Sequence, residues 1–217
     1  SSAASDVYKR QITKNAGNKA LGGVQIRLVR NVDLNIDALV DTSRYNTGVD
    51  LEQADATDAV LTEALSEARL VKDAVEIDNL RRSVASTVEG FENVIRSLPR
   101  AVAHRRGERV IEGAFFTKAR EEGNDLGYDT IAACGNNATV LHWIQNTGAV
   151  EEGKLVLLDA GVEDDTLYTA DITRTFPVNG KFSEVQAKAY QSVLDAADAA
   201  FKAAVPGNKF RDVHAAA

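Results

Sequence analysis

Two aspartates stand out among the 217 residues because their surroundings disfavour them. Asp159 closes the apolar run Leu155-Val156-Leu157-Leu158, and Asp171 lies within the next β-type segment, where aspartate is intrinsically unfavourable. Both carboxylates therefore need partners. The two-residue period of a strand sets Thr169, Asp171, Thr173 and Thr175 on one face and Tyr168, Ala170, Ile172 and Phe176 on the other. With residues 161–166 as a hairpin loop, Asp159 and Asp171 come side by side on adjacent strands, about 4.5–5.5 Å apart at Cβ. Two like charges so close repel, and a shared proton or divalent cations relieve them. Oxygen ligands of this kind suit hard ions such as manganese, magnesium or cobalt. Spacing alone leaves a second reading open, in which one aspartate caps a loop end and the other pairs with Arg174 at the surface. Asp164 and Asp165, beside Glu163 at the hairpin tip, are expected to form a solvated turn. His142, between Leu141 and Trp143, is either a packed, hydrogen-bonded core residue or a functional imidazole. His214, in Asp212-Val213-His214, is expected to be structural or exposed.

The elements that must position these groups follow from periodicity. From about Thr57 the chain turns to Ala, Glu and Leu, and Leu80, Val84, Val88, Phe91, Ile95 and Leu98 then recur at helical spacing. Pro99 is expected to end that helix. A second helix is predicted over residues 108–121, closed by Gly123, with Val110, Ile111, Ala114, Phe115 and Ala119 inward. His104, Arg105 and Arg106 fall in the solvated segment before it. Strands are predicted at residues 130–133, 139–143, 155–160 and 168–178, separated by turn-forming residues. Ser183 and Gln186 have the spacing of a capping box that opens another helix, Pro206-Gly207 breaks it, and a last helix begins near Phe210. Upstream, Val24, Ile26, Leu28 and Val29 suggest a short strand, and residues 31–48 read as turns. The order of elements predicts an α+β fold with a largely antiparallel sheet. Gly135-Asn136-Asn137 is turn chemistry and no nucleotide fingerprint.

Composition narrows the partners. Lys and Arg total 25 against 32 Asp and Glu, a formal charge of −7, which repels nucleic acid and anionic membranes. No apolar run approaches the roughly 18 residues of a membrane span. A single cysteine, Cys134, cannot form an internal disulfide and fits a reducing, cytoplasmic setting. Methionine is absent, and Ala215-Ala216-Ala217 lacks a helix stop, so the chain is expected to be cut at both ends. Residues 1–11, with Asp6-Val7-Tyr8-Lys9-Arg10-Gln11, resemble the translated read-through of a sequencing-library adapter and are expected to be a non-native leader.

Asp159-Ala160-Gly161 followed by Ala170-Asp171-Ile172-Thr173-Arg174-Thr175-Phe176-Pro177 and on to Ser183 resembles the first metal-ligand hairpin of the pita-bread metallopeptidases. It is most similar to the aminopeptidase P (Xaa-Pro aminopeptidase) branch, with prolidase a close relative. Gly127-Tyr128-Asp129-Thr130-Ile131 and Asn136-Asn137-Ala138-Thr139-Val140-Leu141-His142 resemble that family's segment ending in a substrate-contacting histidine. The resemblance covers roughly residues 70–217, with a weaker link across 12–60. It implies Asp159 and Asp171 as metal ligands and His142 as the group that hydrogen-bonds the substrate carbonyl. It also implies two divalent ions, manganese with cobalt or zinc as alternatives, that activate water in the complete enzyme. One further His and two Glu are expected beyond Ala217, so this chain by itself is expected to be inactive. The implied organisation is the remainder of an N-terminal domain over residues 12–60 and the first half of a pita-bread catalytic domain, a helix-covered antiparallel sheet, over 61–217. The implied activity is release of an N-terminal residue from peptides with proline second, and the complete protein can be a homo-oligomer. Prolidase and a non-catalytic peptide- or protein-binding module are the alternatives.

Overall fold

The computed structural model describes residues 26–217. The expected leader and Val24 lie outside them. The chain forms two compact units that divide between Asp73 and Ala74.

The first unit contains helices α1 (Leu34–Asn46) and α2 (Leu51–Leu70). Each opens on an aspartate: Asp33 accepts from the amides of Asn35 and Ile36, and Asp50 from that of Glu52. The turns expected over residues 31–48 are thus largely helix, because Asp33 caps it and Val40 anchors its buried side. Residues 26–29 form no strand. Their backbone bonds go to side chains, the Leu28 amide donating to Asp58 and the Ile26 carbonyl accepting from Arg44. Asp58 is fully buried and receives both Nη groups of Arg44 at 2.9 and 2.8 Å, while Arg30 pairs with Asp58 and with Asp41. The expected boundary at 60/61 falls inside α2, whose Ala54 and Asp58 are both buried, so the unit ends beyond that helix.

The second unit begins with α3 (Ala74–Val102) and α4 (Gly107–Glu122). Phe91 and Leu98 face inward as expected, but Val84, Val88 and Ile95 are exposed. The buried face is instead Ser83, Thr87, Gly90, Phe91, Val94, Leu98 and Ala101. Two contacts set that rotation. A Cβ on Gly90 would lie 2.5 Å from the Phe115 ring, and the Thr87 hydroxyl accepts from the Val162 amide at 2.9 Å. Pro99 does not stop α3. It sits in the last turn, where burial of Leu98 and Ala101 carries the helix on to Val102.

The strands are β1 (Asp125–Leu126), β2 (Ile131–Cys134), β3 (Leu155–Ala160), β4 (Val162–Glu163) and β5 (Ile172–Pro177). A three-stranded antiparallel sheet runs β2-β3-β5, and β1 pairs with β4. Helices α5 (Glu184–Ala203) and α6 (Phe210–Ala216) follow, α5 with the expected Ser183–Gln186 capping box. The core lies between α3 and α4 and one face of the sheet, where Phe115, Ile111, Val94, Val156, Leu158 and Ala160 pack together. This is an α+β architecture with its helix layer on that face.

Burial alone would raise the Asp58 carboxyl, but hydrogen bonds from Arg44 and Leu28 and two guanidinium charges hold it below the ordinary aspartate range. Asp41 is lowered chiefly by its hydrogen bond from Arg30. A depressed folded value means that the network stabilises fully above about pH 4 and loses its contribution as pH falls through the folded values. Asp58→Asn should cost about 3 kcal/mol by stranding buried guanidinium charge. Hydrogen exchange of α1 and α2 amides should accelerate accordingly, and the difference from the parent chain should shrink at pH 2–3.

Candidate metal centre

The alternation along β3 decides which side chains the sheet leaves open. Val156, Leu158 and Ala160 are buried toward the helices, whereas Leu155, Leu157 and Asp159 are half-exposed on the opposite face. Asp159 pairs with Thr173 of β5, and Ala160 with Ile172. Asp171 precedes β5 by one residue and shares the face of Thr173, so it lies diagonal to Asp159, not directly opposite as expected. The physical reason is the hairpin loop. The bridge between Glu163 and Thr169 and the bond from the Ala170 amide to Val162 carry the antiparallel ladder past residue 161. Only residues 164–168 remain as the turn.

That register places Gly161 beside Asp171. A Cβ at Gly161 would lie 1.7 Å from the Ala170 carbonyl oxygen, so no other residue fits there without moving the backbone. The turn beyond it is built by Asp164, which is buried and not solvated as the sequence suggested. It accepts from the amide and hydroxyl of Thr166 and from the Tyr168 amide, and it pairs with Arg82 at 3.4 Å. Burial opposes ionisation of Asp164, yet these donors and the Arg82 charge lower its carboxyl below the ordinary value. Asp165 stays exposed, as expected.

The two aspartates converge on Tyr128. Its phenol oxygen lies 2.6 Å from Asp159 Oδ1 and 3.0 Å from Asp171 Oδ1, and its single proton serves the pair. Both carboxylates therefore aim at one point on the open face. The Arg174 reading fails on direction: Arg174 stands opposite Leu158, on the other face from Asp171, and donates to the Thr173 carbonyl at 2.8 Å. Among the described residues Tyr128 is the sole hydrogen-bond donor to either aspartate, which leaves carboxylate oxygens free for a hard cation. The donor set fits a divalent metal as far as it goes. No group of three or more His, Cys, Asp or Glu that could hold a metal ion comes together among the described residues, so two carboxylates are what those residues bring to one place.

His142 is exposed and does not join that pair. The strand expected over residues 139–143 is absent. In its place a 3-10 turn, Gly135–Thr139, leads into an irregular segment wrapped around Glu108. Glu108 is fully buried at the start of α4 and accepts four hydrogen bonds, from the Cys134 and Gly148 amides, Asn137 Nδ2 and Trp143 Nε1. His214 is exposed on α6. Sequence reasoning missed both Tyr128 and Glu108. A glutamate next to the apolar stripe of α4 was the available signal for the latter, and Tyr128 stood in the segment at residues 127–131 beside a predicted strand without a role of its own.

A helix-backed antiparallel sheet that brings two carboxylates together on its open face is a framework on which a divalent cation can be held. Residues 78–217 match the model of metallopeptidase family M24, and the chain belongs to that family. It is 50% identical over 189 residues to Xaa-Pro aminopeptidase 1 of Streptomyces coelicolor, covering 87% of this chain and 36% of that protein. It is 46% identical over 198 residues to Xaa-Pro aminopeptidase 2 of the same organism, covering 91% and 39%. Among solved structures, the low-pH form of Escherichia coli aminopeptidase P aligns over 95% of this chain and 46% of its own, at 26% identity and TM-score 0.74. The zinc-substituted form of that enzyme in complex with product aligns over 87% and 42%, at 27% identity and TM-score 0.70. The chain thus spans less than half the length of these relatives, and it carries part of the pita-bread fold of the family.

Burial, and then the Asp159 and Asp171 acceptors, push the Tyr128 phenol well above its ordinary value. A raised folded value means that the protonated phenol stabilises the fold fully below about pH 10, with the contribution lost as pH rises beyond that. In a spectrophotometric titration, Tyr128 should ionise only as the protein unfolds in alkali. Tyr128→Phe should abolish that late step and lower stability near neutrality by about 1–3 kcal/mol, measured by urea denaturation.

Proposed function

We propose that the protein to which this chain belongs is a metal-dependent aminopeptidase that releases an N-terminal residue linked to proline. The observation that carries this reading is the convergence of Asp159 and Asp171 on the Tyr128 hydroxyl, on the face of the sheet away from the helices. In a water-filled site without a cation, two carboxylates so placed repel. Their arrangement makes physical sense as part of a ligand set for divalent ions, for which manganese is the proposed occupant. Such ions, when bound, polarise a peptide carbonyl and activate water for hydrolysis. The remaining ligands and the general base are proposed to come from residues outside these 217, in keeping with the chain's 36% share of its Streptomyces relative.

The chain's own residues have distinct parts in this scheme. Asp159 and Asp171 hold the ions. Tyr128 fixes both carboxylates in one orientation before an ion arrives and lowers the cost of bringing them together. Exposed His142 donates to the carbonyl oxygen of the substrate and stabilises the charge that develops there. Peptides with proline at the second position are the proposed substrates, and an unpaired, buried Cys134 supports a cytoplasmic setting. Among the described residues no helix is long and apolar enough to cross a membrane.

Manganese titration followed by electron paramagnetic resonance should detect weak binding to this chain. Asp159→Asn or Asp171→Asn should weaken that binding about tenfold or more, since each removes one of two charged ligands. The 217-residue chain should not hydrolyse Xaa-Pro peptides even with added manganese. Equal manganese binding by both variants and the parent chain would refute the ligand assignment. In the longer protein, preference for tripeptides over dipeptides separates aminopeptidase P activity from prolidase activity.

A further inference from the structure

The segment that carries His142 has almost no secondary structure of its own, yet its backbone is held at several points by one side chain. Glu108 Oε1 accepts from the Cys134 amide and from Asn137 Nδ2, both at 2.8 Å. Glu108 Oε2 accepts from Trp143 Nε1 at 2.9 Å and from the Gly148 amide at 2.6 Å. The Glu108 amide in turn donates to the Gly148 carbonyl, closing a reciprocal pair. These donors flank His142 on both sides, and one of them is its immediate neighbour. A buried carboxylate is costly unless its lone pairs are filled, and here two donors serve each oxygen. The space around it is equally committed, since a Cβ on Gly148 would lie 2.8 Å from the Glu108 carboxyl carbon. The imidazole, by contrast, is exposed, and Leu141 beside it is 91% exposed. Apolar packing therefore does not fix the histidine. What ties the segment down are the hydrogen bonds to Glu108 on either side of it and, locally, the bond from the Ile144 amide to the His142 carbonyl at 2.9 Å.

We infer that Glu108 is the positioning residue of the His142 segment, a buried carboxylate whose four hydrogen bonds set where the exposed imidazole stands. Its importance for function rests on the reading of His142 as the substrate-side group. The mechanism is acceptor geometry: a carboxylate offers two equivalent oxygens, and any substitute that loses one of them orphans two donors at separate points of the loop.

The test uses the 217-residue chain without metal or substrate. Trp143 is its only tryptophan and His142 one of three histidines, so their ring signals in NMR report on this loop individually. Glu108→Gln keeps the shape and converts one acceptor into a donor. It should speed hydrogen exchange of the backbone amide that faces the new NH2, Cys134 or Gly148, about tenfold or more, and shift the His142 ring signals while those of His104 and His214 stay in place. Val94→Ala removes core volume from α3 without touching the loop, and should leave the His142 signals unmoved. If Glu108→Gln does not fold, Asn137→Ala removes a single donor and should move His142 in the same way. Unmoved His142 signals in the folded loop variant, or an equal shift in Val94→Ala, would overturn the inference. Because the measurement involves no peptide, a histidine that proves idle in hydrolysis would sink the functional reading and leave the positioning result intact.

Discussion

Two negative charges on the same face of a sheet, close enough to share one phenol, are the constraint around which the second unit is organised. Left alone, Asp159 and Asp171 would repel and turn outward. Tyr128 prevents this by offering its proton to both, and burial of the phenol keeps that proton in place. The cost of gathering the carboxylates is met by the fold in advance, which is what a cation site needs if its ligands are not to reorganise on binding.

The other face of the same strands supplies the rigidity. Val156, Leu158 and Ala160 are locked against Ile111, Phe115 and Val94, so the half-exposed residues between them have no freedom to twist away. Small residues make the close approaches possible. Phe115 rests on Gly90, and Gly161 lets the ladder continue past Asp171 to the turn that Asp164 holds. Polar side chains of α3 complete the fastening, with Ser83 donating to the Tyr168 carbonyl and Thr87 accepting from Val162. The hairpin that carries Asp159 and Asp171 is thereby fixed to the helix layer at its far end.

Much of the fold was legible. The β3 run, the α4 stripe and the Ser183 cap declared themselves because each is a local pattern, set by periodicity or by a hydrogen bond a few residues long. What misled was local pattern overruled by distant contacts. The strand expected at residues 139–143 has strand-like residues but no strand beside it, and the Trp143 indole at its end, like Asn137 before it, is drawn to Glu108 from another element. The stripe on α3 was rotated because small Ser83, Thr87 and Gly90 face the core, where a ring and a hairpin backbone need room. At the N-terminal end, side-chain carboxylate and guanidinium groups took the backbone bonds that a strand would have used.

By itself the sequence determined that Asp159 and Asp171 lie on the two arms of one hairpin and that a motif around them resembles a metallopeptidase hairpin, since both depend only on residue order and a period of two. Only the tertiary structure decided that the pair is diagonal, that Tyr128 joins it, and that Glu108 gathers donors from both sides of His142. Those relations bring together residues far apart in the chain, and a hydrogen bond across such a separation leaves no periodicity in sequence.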